Sequence, residues 1–187
     1  MGYFPMAHPE LNNRIMWHRP VMRGIIPIDE NFHIPENLKR FLKKEPFSYT
    51  INTQFRQVME KCAERKHGST WITEEIIQAY CELNERELAL SIEAWKGNEL
   101  AGGLYGVCIG RAFFGESMFH SVTNASKASL VFLVDYLRKN NYTLLDSQYL
   151  NHHLLQFGAH EIPDREYMKK LKNALPKGYR PKLNESH

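Results

Sequence analysis

Apolar residues along this chain switch between helical and alternating periods, and each switch marks a predicted element. Residues 35–42 predict a helix with Pro35 near its first turn. Residues 47–51 alternate and are rich in β-formers, which predicts a strand. From Thr53, Phe55, Val58, Met59 and Cys62 form a helical stripe that stops near Gly68. Thr73 can cap the next helix, whose buried face takes Ile76, Ile77, Tyr80 and Leu83. The middle of the chain then turns to strands. Residues 90–95, a turn at 96–99 and residues 100–109 predict a hairpin, and residues 112–116 a third strand. Gly102, Gly103 and Gly106 weaken the second of these strands unless something approaches its backbone closely.

A long helix follows from Asn124 or Ser126, with Leu130, Leu133, Val134 and Leu137 on one face. Residues 142–148 predict another strand and residues 151–157 a short helix. Pro163 begins a last helix with Tyr167, Met168, Leu171 and Leu175 inward. Residues 1–35 differ, because Pro5, Pro9, Pro20, Pro27 and Pro35 suit an irregular arm with short extended pieces. The expected division is this arm and a main domain over residues 36–187. The order of elements predicts an α/β (α+β) fold, a mainly antiparallel sheet with helices packed on it.

Composition narrows the class. A chain of 187 residues at 43% hydrophobic can bury a full core as one domain with a small appendage. No apolar run approaches the roughly 18 residues of a membrane span, and Met1 to Met6 lacks the basic and apolar regions of a secretion signal. Cys62, Cys81 and Cys108 are widely spaced and odd in number, which argues against a disulfide framework and a cysteine-built zinc site. A cytoplasmic location is therefore expected. No long heptad pattern is visible, so a monomer is expected too.

Charge is uneven along the chain. Residues 1–66 carry 11 Lys/Arg against 7 Asp/Glu, residues 67–160 carry 6 against 10, and residues 161–187 carry 7 against 4. Two basic ends thus flank an acidic middle. Ordinary solvated helices give such a pattern. So does a phosphate-facing surface of Lys39, Arg40, Lys43, Lys44, Arg65 and Lys66 beside a pocket that welcomes a cation.

The chemistry concentrates in residues 144–153. On a strand over 142–148, alternation puts Leu144, Asp146 and Gln148 on one face. An acid followed two residues later by an amide presents one hydrogen-bonding edge to a ligand. It serves equally as a buried polar lock.

Seven motifs occur in order: Gly2-Tyr3-Phe4-Pro5-Met6, Thr70-Trp71-Ile72-Thr73, Ser91-Ile92-Glu93-Ala94-Trp95, Gly102-Gly103-Leu104-Tyr105-Gly106-Val107, Phe114-Gly115-Glu116-Ser117-Met118-Phe119, Asn124-Ala125-Ser126-Lys127, and Leu145-Asp146-Ser147-Gln148 with Asn151 and His153. Together they resemble the leucyl/phenylalanyl-tRNA–protein transferase family, from about residue 2 to residue 172. The resemblance implies a fold like the acetyltransferases of the GNAT superfamily plus a small amino-terminal domain. It implies transfer of Leu or Phe, and Met less well, from tRNA to a protein beginning with Arg or Lys, which marks that protein for degradation. The aminoacyl-tRNA is already an activated ester, so no metal or cofactor is expected. The implied partners are Leu-tRNA, Phe-tRNA and the acceptor protein.

The resemblance also assigns residues. Asp146 orients Gln148, whose side-chain oxygen takes the hydrogen of the attacking amine; alternatively Asp146 pairs with the cationic first residue of the acceptor. Replacing Asp146 by Ala is then expected to remove transfer and leave the fold intact. Glu116 meets that cation or forms a salt bridge to Lys127 or Arg111. Asn151 and His153 brace the site, or cap a helix and face solvent. Leu104, Phe113, Met118, Leu130, Leu133, Leu137 and Leu145 form the aminoacyl side-chain pocket, or simply core. Trp71, Tyr80 and Met6 hold the terminal adenosine, with Met6 where some members have Trp and His18 replacing the second member of a Trp pair that keeps Trp17. The chain begins at the Gly-Tyr-Phe-Pro motif, so a small domain shorter than in many members, or partly missing, is expected.

Two other classes stay open. A CoA-dependent N-acetyltransferase needs a basic, glycine-rich turn for the pyrophosphate, and residues 119–126 contain no glycine. A non-catalytic module that binds tRNA ends or basic amino termini would make Asp146 and Gln148 structural.

Overall fold

The computed structural model describes residues 2–8, 11, 14–64 and 70–176. Strands β1 (Phe4–His8) and β2 (Arg14–His18) form a small antiparallel sheet of their own, with Phe4 opposite His18 and Met6 opposite Met16. Strand β3 (Met22–Ile26), helix α1 (Glu36–Leu42), β4 (Ser48–Ile51), α2 (Phe55–Ala63) and α3 (Glu74–Glu85) follow. Next come β5 (Ala89–Lys96), β6 (Glu99–Ile109), β7 (Ala112–His120) and α4 (Ala125–Lys139). The chain continues with β8 (Leu144–Gln148), α5 (His152–Leu155), β9 (His160–Pro163) and α6 (Asp164–Ala174).

The large sheet runs β4-β5-β6-β7-β8-β3-β9. Every neighbouring pair is antiparallel except β7 and β8, which are parallel. The expected mixed α/β class with a mainly antiparallel sheet is what the chain forms. The third central strand runs on to His120, beyond the expected residue 116. The expected break at residue 35 falls after β3, which lies inside this sheet between β8 and β9.

Strand alternation distributes the core over two faces. On β6, Leu104 joins Leu130, Leu133, Val134 and Leu137 of α4, while its neighbour Tyr105 joins Phe55, Val58, Met59, Ile77 and Tyr80 of α2 and α3. Helix α4 docks closely because a Cβ on Gly102 would lie 2.6 Å from the Cβ of Ala125. The strand glycine is thus where a helix approaches the backbone. Thr73 caps α3 as expected, accepting from the Ile76 amide at 3.4 Å. The Ser91-Ile92-Glu93-Ala94-Trp95 motif builds a lock between β4 and β5. The fully buried Glu93 accepts from Thr50 (2.6 Å), Thr53 (3.0 Å) and Ser91 (2.5 Å). No helix among the described residues is long and apolar enough to cross a membrane.

Candidate active site

The site forms where parallel pairing stops. Strands β7 and β8 pair from Ala112 opposite Leu144 to Phe114 opposite Asp146, and β7 then continues alone on that side. A cavity of about 260 Å³ occupies the gap. Its lining includes Glu116, Ser117 and Met118 from β7, Asp146 and Ser147 from β8, and Asn151. In open parallel α/β sheets ligands bind outside the carboxyl ends of such strands, and β7 and β8 are the parallel pair of this sheet.

Two β-bulges aim the polar residues. Tyr105 pairs with Ser117 and Gly106 with Gly115, so the register skips Glu116. Gly24 pairs with Gln148 and Ile25 with Asp146, so it also skips Ser147. A bulge leaves one residue without a partner and redirects its neighbours. Gln148 takes φ of 64°, which breaks the alternation the sequence predicts for Leu144, Asp146 and Gln148. Gly24 permits the close return of the loop, since a Cβ there would sit 2.8 Å from Ser147 Oγ and from the Leu150 amide.

Asp146 is the best-held polar group. It is 0% exposed and accepts from Arg23 Nε at 2.9 Å on Oδ1 and from Arg23 Nη2 at 2.7 Å on Oδ2. Tyr167 Oη donates to Oδ2 at 2.7 Å and the Gln148 backbone amide to Oδ1 at 2.7 Å. Asp146 therefore holds Gln148 through its backbone and not its side chain. The carboxylate that the rival role would pair with a substrate cation is thus already paired with Arg23. For Arg23, burial works against the charge, but the hydrogen bonds and charge of Asp146 outweigh it and raise the pKa. Sequence reasoning missed Arg23 and Tyr167. Their signals were an arginine inside the apolar run Met22–Ile26 and an inward tyrosine whose hydroxyl needs a partner.

Glu116 faces neither expected cation. Lys127 Nζ donates to Gln156 Oε1 at 3.2 Å, and Arg111 Nη2 donates to the Asn173 carbonyl at 2.9 Å. Gln148 Nε2 instead donates to Glu116 Oε2 at 3.2 Å, and this carboxyl also interacts with Tyr80. Burial pushes the carboxyl up to about 7; the bonds from Gln148 and Tyr80 pull it down, the charge of Asp146 raises it and that of Arg23 lowers it. An acid that titrates near neutrality beside a fixed amide can exchange a proton with a bound amine.

Leu104, Phe113, Met118, Leu130, Leu133 and Leu145 all line this cavity. Leu137 is the exception: it is fully buried among the core residues under α4 and does not reach the cavity. Most of the lining is core as well, as on the sheet face beneath α4 it must be; Met118, 38% exposed, sits on its open side. Asn151 caps α5, accepting from the Leu154 amide at 3.1 Å, and lines the cavity too. His153 is exposed and lines a neighbouring cavity of about 440 Å³ with Lys127, His120 and Asn151.

Met6, Trp71 and Tyr80 meet around a separate cavity of about 300 Å³, with Pro5, Ile15, Trp17, Glu75, Ile76 and Ala79. Tyr80 belongs to this wall and interacts with Glu116, which lines the first cavity, so the two cavities lie on either side of this pair. Trp17 is 67% exposed. Lys39, Arg40, Lys43 and Lys44 are exposed along α1 and beyond its end. Arg65 and Lys66 lie outside the described residues.

The Leucyl/phenylalanyl-tRNA protein transferase profile matches residues 25–172. Relatives named leucyl/phenylalanyl-tRNA–protein transferase are similar over nearly the whole chain. The one from Akkermansia muciniphila is 49% identical, covering 93% of this chain and 90% of its own. The one from Paramagnetospirillum magneticum is 47% identical, covering 93% and 84%. Among solved structures, the chain is similar to an aminoglycoside acetyltransferase from an uncultured soil metagenomic sample (TM-score 0.44, 9% identity, 76% of this chain and 96% of that one). It is also similar to L-PGS from Bacillus licheniformis (TM-score 0.46, 14% identity, 81% and 49%). With its family profile matched over the whole wall of the cavity between β7 and β8, the chain belongs to the leucyl/phenylalanyl-tRNA–protein transferase family of aminoacyltransferases.

Proposed function

We propose that this aminoacyltransferase moves Leu or Phe, and Met less efficiently, from tRNA to the α-amine of proteins beginning with Arg or Lys. The product carries a new peptide bond and a bulky apolar amino terminus that destines it for degradation in the cytoplasm. The observation that carries this reading is the neighbourhood of Tyr80 and Glu116. Tyr80 walls an aromatic cavity suited to a nucleobase, and Glu116, which interacts with Tyr80 and accepts from Gln148, lines an apolar cavity suited to a side chain. An aminoacyl-adenosine has those two parts at its ends.

The adenine packs against Trp71, Met6 and Tyr80, where stacking on an aromatic face contributes about 1–3 kcal/mol per base. The donated side chain enters between Leu104, Phe113, Leu130, Leu133 and Leu145. A pocket of this kind separates close apolar side chains by only about 1–3 kcal/mol per methylene, which fits a donor range of Leu, Phe and Met. The exposed lysines and arginine at the end of α1 face phosphates of the acceptor stem. The enzyme works as a monomer and takes its activated ester from the tRNA, without a metal or cofactor.

In the reaction, the neutral α-amine attacks the ester carbonyl carbon. Gln148 orients the amine through its side-chain oxygen, and Glu116 accepts the amine proton. As the tetrahedral adduct collapses, the bond from carbonyl carbon to ribose oxygen breaks and Glu116 returns the proton to that oxygen. Asp146 positions this pair through the Gln148 backbone, and Asn151 and His153 brace the loop that carries it. Holding both substrates can lower the barrier by roughly 7–11 kcal/mol in favourable cases. The test is transfer of labelled amino acid from Leu-, Phe- and Met-tRNA to peptides beginning with Arg, Lys or Asp. Transfer to the first two acceptors supports the proposal, and equal or preferred transfer to the Asp-initiated peptide refutes the acceptor assignment.

A further inference from the structure

Arg23 makes contacts on both sides of the molecule's functional centre. The residue is 2% exposed, and its guanidinium lies 4.6 Å from the ring centroid of Phe4 and 4.7 Å from that of Tyr167. Two of its nitrogens grip Asp146, and Nη1 donates to the Gly2 carbonyl at 3.0 Å. Gly2 and Phe4 belong to the same short stretch as Pro5 and Met6, which wall the aromatic cavity. Asp146 holds the Gln148 backbone, and Phe4 meets the Tyr149 ring edge-on at 5.6 Å. One planar cation therefore contacts the support of each cavity. Lysine has neither the flat stacking surface nor the fixed fork that satisfies three acceptors at once.

We infer that Arg23 is a positioning residue that ties occupancy of the aromatic cavity to the geometry of residues 146–151. The inference rests on the proposed reading of that cavity as the adenosine site. A nucleoside packed on Met6 seats residues 2–6. Through the Gly2 carbonyl and the Phe4 ring, the seated stretch fixes the guanidinium, which fixes Asp146 and so the amide that orients the incoming amine. Binding of the donor's nucleoside thereby sets the reacting end.

The test is hydrogen exchange of the full chain with and without an amide-linked phenylalanyl-adenosine, which cannot be transferred. In the wild type, exchange should slow about tenfold at residues 71–80 and at residues 146–151 together. In Arg23→Lys and in Phe4→Leu, the slowing at 71–80 should persist and that at 146–151 should vanish. Transfer from Phe-tRNA should then lose at least tenfold in kcat with KM changed less than threefold. Phe4→Leu keeps both an apolar filler and the Arg23–Asp146 pair, so it decides the matter should Arg23→Lys fail to fold. Equal slowing at 146–151 in the variants, or none there in the wild type beside slowing at 71–80, overturns the coupling. No slowing in either segment overturns the adenosine reading and the coupling with it.

Discussion

Gln148 spends its side-chain amide nitrogen on Glu116, Nε2 to Oε2 at 3.2 Å, which leaves the amide oxygen as the end that can accept from a substrate amine. The pair divides the work at the site between a group that orients and a group that titrates.

That division fixes a pH profile. With the Glu116 carboxyl at about 7, kcat/KM should rise with pH through an inflection near 7 as the base form appears. A second rise near pH 8 belongs to the acceptor's own α-amine. Glu116→Gln should lower kcat by about 10²–10⁴ and abolish the first inflection while keeping the second. Rate measurements between pH 5.5 and 9 check both.

The same carboxyl affects stability with a definite sign. The folded chain binds this proton more tightly than the unfolded chain, whose carboxyl titrates in the ordinary range. The stabilising contribution is therefore complete below that range and is lost as pH rises towards 7. Glu116→Gln should gain stability over the wild type at pH 8 relative to pH 4.5, as read by urea melts at the two values.

Asp146→Ala is no longer expected to leave the fold intact. It strands a buried guanidinium, a change that typically costs about 3–5 kcal/mol. Asp146→Ala with Arg23→Met should recover most of that loss and still fail to transfer, because the Gln148 backbone has lost its anchor. Melts and transfer assays on the single and double variants separate stability from chemistry.

Leu133 and Leu137 make a matched pair. Both are buried on α4, and truncating either to Ala should cost about 2–5 kcal/mol. Only Leu133 lines the cavity, so only Leu133→Ala should shift the ratio of Phe to Leu transfer. Competition between the two charged tRNAs shows whether it does.

Met6→Trp should tighten nucleoside binding by up to about 1–3 kcal/mol, by supplying the stacking wall that methionine lacks. Titration of the amide-linked phenylalanyl-adenosine by tryptophan fluorescence measures the gain.

Local patterns carried much of this fold. The Thr73 cap, the hairpin and the apolar stripe of α4 each depend on residues a few positions apart, and each stands where the pattern put it. What lay beyond reach depends on register between distant strands. The bulges at Glu116 and Ser147 arise from how β6 meets β7 and β3 meets β8, and they decide which way the site residues point. Arg23 is 123 residues from Asp146, so no spacing rule could pair them. Leu137 shares its stripe with Leu133 yet stops short of the cavity, because it lies one helical turn farther along α4 than the opening extends. The family motifs, and not periodicity, singled out seven residues of which six line one cavity, and three more that line the other.

The claim that the two cavities on either side of Tyr80 and Glu116 hold one aminoacyl-adenosine is tested most directly by a crystal structure with the amide-linked phenylalanyl-adenosine. The account predicts adenine against Trp71 and Met6, the phenyl ring between Leu104 and Leu133, and the amide carbonyl beside Glu116 and Gln148. A base seated away from Trp71, or a phenyl ring outside the β7–β8 gap, would contradict it.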